Sequence, residues 1–86
     1  MEQDKSKDLI YTYTRNYENA KAIYERAKQH YDLDSNKNLK ETDPEQYYEY
    51  RQKEKDNLDF YAVILEMSKE QLDKIIELVE NNRNIV

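Results

Sequence analysis

The sequence predicts an all-α fold, either an antiparallel helical hairpin or a three-helix bundle, with coiled-coil-like packing and a break or kink near Ser68. Three observations carry this expectation. Glycine is absent and Pro44 is the single proline, so the tight turns of a hairpin-rich β fold lack their usual residues. Glu, Lys, Gln and Leu, which favour helix, are common. Apolar residues recur in alternating steps of three and four in both halves of the chain, the spacing of a packed helical seam.

The 86 residues read as one helical domain over 1–86. The first helix is expected at about 5–31, where Ile10, Tyr13, Tyr17, Ala20, Tyr24, Ala27 and Tyr31 form an a/d seam. Large Tyr alternates with small Ala from Tyr17 onward, and Leu9 and Ile23 widen the stripe on one flank. Residues 32–43, DLDSNKNLKETD, read as the loop, because Asp, Ser, Asn and Thr side chains compete with the helical backbone for hydrogen bonds. Leu39 is its central apolar residue and is expected to pin the loop to the helices.

The second helix has a clear start. Asp43 suits the N-cap, Pro44 the first helical position and Glu45 the first turn, and Gln46 completes a capping-box spacing with Asp43. This helix is expected over about 44–66. Its seam runs Leu58, Tyr61, Leu65, Leu72, Ile75 and Val79, interrupted by Ser68; extended backward it meets Arg51 and Glu54. Tyr47, Tyr48 and Tyr50 give that end an aromatic surface.

Folding back about the middle of the loop would set residue i roughly opposite residue 75 − i. Leu72, Ile75, Ile76, Leu78 and Val79 would then overhang the first helix, and such a stripe is not expected to stay in water. Two solutions follow. In one, a third helix at about 69–82 folds back, started by the capping-box pair Ser68 and Gln71 and the staple pair Met67 and Leu72. In the other, the helix continues and the overhang pairs with a second copy.

The segment Asp59–Met67, DFYAVILEM, carries a second apolar stripe of Phe60, Val63, Ile64 and Met67 at i, i+3, i+4 and i+7. One partner helix cannot cover both stripes. The plain reading is that a third helix or a homodimer mate covers the second; the functional reading is a docking face for a foreign protein. Glu66, Glu70, Asp73, Glu77 and Glu80 form an acidic stripe, read either as an ordinary solvated face or as an electrostatic docking surface. Lys69 and Lys74 dilute it. Tyr11, Tyr48 and Tyr50 lie off the main seams and join the candidate interface set, since tyrosine is favoured at binding hot spots.

Little else in the sequence carries chemistry. His30 is the single histidine and cysteine is absent, so no metal site, cofactor site or catalytic set is expected, and the chain is read as non-enzymatic. Without glycine there is no phosphate-cradling loop. The net charge of −5 argues against direct nucleic-acid binding. Residues 1–43 carry 8 basic and 9 acidic side chains and residues 44–86 carry 6 and 10, so the excess sits in the second half. No apolar run approaches a membrane span and Met1 to Asp8 lack a signal-peptide core, so a cytoplasmic protein is expected. The wealth of Asn, Lys, Tyr and Ile suits AT-rich coding, as in a low-GC bacterium, its phage or its plasmid.

Residues 67–76, MSKEQLDKII, are similar to the SQELD segment of the small helical-hairpin aspartyl-phosphate phosphatases of spore-forming bacteria. One residue is inserted between Ser68 and Leu72–Asp73 relative to that signature, and the rest of the chain does not follow, so no function is carried over. The expectation is a small acidic protein-binding module, a homodimer because so little of the chain is apolar, that regulates or inhibits a larger partner by surface occlusion. Two alternatives stand beside it: a self-assembling helical scaffold, and an acidic decoy that mimics nucleic acid toward a basic protein.

Overall fold

The computed structural model describes residues 5–85. Helix α1 spans Lys5–Leu33, a single turn α2 spans Leu39–Thr42, and α3 spans Pro44–Ile85. The fold is all-α. The molecule is elongated, 67 × 18 × 14 Å, and α1 packs antiparallel on α3.

Both expected seams lie at the helix–helix contact. On α1, Ala20 is buried and Ile10, Tyr13, Tyr17, Tyr24, Ala27 and Tyr31 are half-buried. On α3, Leu58, Tyr61, Leu65, Leu72 and Ile75 are half-buried and Val79 is buried, at 6% exposure. The seam also runs back through Glu54 and Arg51, both half-buried, to Tyr47, at 7% exposure. Tyr47 is thus a core residue, and not part of an exposed aromatic surface. The core is thin: Ala20, Tyr47 and Val79 are the buried apolar residues among those described.

The start of α3 follows its sequence signals. The Gln46 backbone N–H donates to the Asp43 carboxylate at 3.2 Å, and Pro44 takes the first helical position. The capping box is half made, because the Gln46 side chain instead donates to the Tyr50 hydroxyl at 2.8 Å. At the other end of the connection, Asp34 adopts a left-handed φ of 47° just past α1, where a glycine is the usual choice. The Asp34 N–H donates to the Tyr31 carbonyl at 3.2 Å. Leu39, in α2, is half-buried, and α2 rests on α3.

Two expectations need correction. At Ser68 the backbone is helical and the side chain half-buried on the seam, so α3 passes through without a break and the described residues contain no separate third helix. The pairing register also differs. Tyr47 meets Asp34, Arg51 meets Tyr31 and Glu54 lies beside His30, so residue i faces roughly residue 82 − i. The first turn of α3 reaches past the end of α1 and packs on the connection, which shifts the whole of α3 along its partner. Ile10 is therefore level with Leu72. Leu72, Ile75, Ile76 and Val79 are half-buried or buried, and Leu78 alone of the expected overhang is exposed.

Candidate protein-binding surface

A continuous α3 gives its side chains one common frame. At about 100° per residue, the second apolar stripe lies on average roughly 120° round from the seam, and the acidic stripe adjoins its far edge, where Val63 and Glu70 are about 20° apart. Phe60, Val63, Ile64 and Met67 are 61%, 53%, 36% and 54% exposed, so the stripe faces solvent. Neither α1 nor α2 covers it.

Residues from α1 extend this face. Ile23, with Ala27, lines an open groove with Asn57 and Tyr61. Asn57 precedes Phe60 and Ile64 by three and seven residues, so the groove opens on the side of the seam that carries the stripe. Ile23 is exposed there, and Leu9, two heptads earlier, is exposed on the same flank of α1. Leu78 lies two heptads after Ile64 and extends the α3 stripe. Seven exposed large apolar side chains thus share one broad side of the helix pair. The sequence shows four of the five in α3, Phe60, Val63, Ile64 and Met67, as a stripe; that Leu9 and Ile23 join them follows from the pairing register.

The off-seam tyrosines are not brought to this side together. Tyr11 is exposed and its hydroxyl accepts from Arg15 Nη1 at 3.2 Å. Tyr48 is exposed and meets Tyr47 edge-on at 5.4 Å. Tyr50 is half-buried. Glu66, Glu70, Asp73, Glu77 and Glu80 are all exposed, and Glu70 and Glu77 follow Val63 by one and two heptads, so the acidic stripe borders the apolar one.

Near the connection the seam turns polar, a feature that sequence periodicity shows only as a gap. Arg51 stacks on Tyr31, with its guanidinium carbon 3.8 Å from the ring centroid, and its Nη1 donates to the Tyr31 carbonyl at 2.7 Å. The same nitrogen is 3.5 Å from Asp34 Oδ1 and 3.7 Å from Glu54 Oε2. His30 Nε2 stands 4.0 Å from Glu54 Oε2. Asp34 Oδ1 and both Glu54 oxygens are buried without a hydrogen-bond donor among the described residues, so Arg51 is their main compensation. The Tyr47 hydroxyl donates to Asp34 Oδ2 at 2.7 Å. That bond, then desolvation and the Asp34 charge, raise the Tyr47 pKa above the ordinary phenol value, against an opposing pull from Arg51. This cluster ties the helix ends together and offers a ligand no enclosed pocket.

No described helix is long and apolar enough to cross a membrane. The sequence matches no protein-family model, and no curated protein or solved structure is significantly similar to it.

Proposed function

We propose that this chain is a non-enzymatic, intracellular protein-binding module, a coiled-coil-like helical hairpin that works by covering its apolar flank with another protein surface. In this reading it regulates or inhibits a larger partner by occlusion. The observation that supports it is the gathering of Leu9, Ile23, Phe60, Val63, Ile64, Met67 and Leu78 on one exposed side. Apolar surface of that extent on a small protein marks an interaction site. The flank is built on one unbroken helix and its antiparallel neighbour.

The exposed acidic stripe favours a second reading, an electrostatic decoy for a basic protein. A photo-crosslinking amino acid placed at Val63 or at Glu80, about 100° further round the helix, separates the two. The flank reading expects a protein adduct through position 63 that persists as salt rises. Adducts through position 80 alone, lost at high salt, would overturn it in favour of the decoy.

A further inference from the structure

The geometry points to a second copy of this chain as the occupant of the apolar flank, docked face to face and antiparallel about a two-fold axis level with Leu65–Glu66 and Asn16. This rests on the reading of the flank as the working surface and names what covers it.

The flank is self-complementary. On α3 its successive central positions, in heptad steps from Phe60 and Ile64, are Lys53, Asn57, Phe60, Ile64, Met67, Gln71, Lys74 and Leu78; Val63 lies on one edge, and Glu70 and Glu77 continue that edge. The eight central positions mirror one another about the point between Leu65 and Glu66. An antiparallel copy then sets Ile64 against Met67, Phe60 against Gln71, and the Asp56–Asn57 level against Lys74. Asp56, whose carboxylate accepts from Gln52 at 2.9 Å, comes level with a lysine of opposite charge, and the pairing occurs twice by symmetry.

Helix α1 reaches the same axis independently. Leu9 and Ile23 are centred on Asn16, so reversing the chain sets Leu9 against Ile23 and Asn16 against its own copy. In the observed register Asn16 lies level with residues 65–66, because residue i faces roughly 82 − i. One axis therefore satisfies both helices, with α3 over α3 and α1 over α1. Nothing in the packing of α1 on α3 requires the two centres to coincide.

Charge and size agree with this occupant. The protein is acidic overall, yet the eight central α3 positions hold two lysines and no carboxylate, so the facing helices bring no acidic pair together along the centre line, and Glu70 and Glu77 stay on its rim. From Lys53 to Leu78 the flank is roughly 38 Å long at 1.5 Å per residue. Across the 18 Å width of the pair it offers a footprint of roughly 700 Å² per copy, close to what a stable interface of standard size buries. The thin core of the single chain gains a second layer in the resulting four-helix arrangement. A larger partner that uses the flank must displace the second copy.

Light scattering of the full chain across a dilution series tests the pairing, with single cysteines in this cysteine-free sequence as position markers. The expected mass at micromolar concentration is twice 10.5 kDa, falling to the single-chain mass on dilution. Val63→Glu should hold the single-chain mass throughout with its helical circular dichroism kept. Asn16→Cys should oxidise to a disulfide-linked dimer, and Glu70→Cys should not. A single-chain mass at every concentration, or a dimer that cross-links through Glu70→Cys and not Asn16→Cys, overturns the proposal. The first of these leaves the flank free for a foreign protein, which the crosslinker at Val63 detects by the adduct mass.

Discussion

Arg51 covers the ring of Tyr31 at 3.8 Å while its Nη1 donates to that residue's own carbonyl at 2.7 Å. A single guanidinium therefore stacks on the last turn of α1, satisfies a helix-terminal carbonyl and faces two carboxylates. Removing it leaves Asp34 and Glu54 close together in a half-buried site. Arg51→Ala is expected to cost about 2 kcal/mol in urea unfolding, below the range for fully buried pairs because the site is partly open to solvent. Arg51→Lys should recover less than half, since an ammonium lacks the planar fork. Replacing Arg51 and Glu54 together by leucine should restore stability. A double variant as weak as Arg51→Ala would show that the loss lies elsewhere.

The Tyr47 phenol is held neutral by its bond to the Asp34 carboxylate, so its folded pKa lies above its unfolded one. Its contribution is complete below about pH 10, the unfolded value, and is lost as pH rises through the folded value, because only the native state still holds the proton between the two. Tyr47→Phe should flatten the alkaline decline in stability relative to the wild-type chain. Unfolding midpoints measured between pH 8 and 11 report the difference; parallel curves would contradict the assignment.

Ser68 sits mid-helix on the seam of α3. With no cap to lose, Ser68→Ala is expected to gain up to about 0.5 kcal/mol from helix propensity, and Ser68→Leu to gain more by filling the seam. A loss of about 1 kcal/mol in Ser68→Ala, the usual value of an N-cap, would instead indicate a helix start at this residue. Thermal melts of the variants decide it.

Asp43 caps α3 through the Gln46 amide. Asp43→Ala should cost about 1 kcal/mol, and Asp43→Ser most of an order less. Equal losses in both would mean that the carboxylate acts by its charge at the helix end and not as an acceptor.

Much of the fold was legible because Tyr and Ala in α1 and Leu, Tyr and Ile in α3 keep a strict three–four spacing, and because Asp43 and Pro44 mark a helix start. The register was not. It depends on Asp34 taking a left-handed conformation that glycine usually signals, and on one helical turn at Leu39–Thr42 within a polar stretch. Ser68 was ambiguous for a physical reason: the same spacing serves an N-cap and a small residue on a seam. Tyr47 was missed because Arg51 and Glu54, one and two turns on, hide the seam from any search for apolar residues. Of the candidate surface, the α3 stripe is plain in the sequence, whereas its enlargement by Leu9 and Ile23 requires knowing which side of α1 lies beside it.

The seam and the acidic stripe of α3 repeat every seven residues along one unbroken helix, and the apolar flank is placed relative to them. Inserting or deleting one residue near its middle would turn everything beyond it by about 100°, carrying acidic side chains toward the flank and apolar ones into solvent. Whole heptads could be added without that penalty. The length of this protein is thus quantised, and natural variants that keep its surfaces aligned should differ in α3 by multiples of seven.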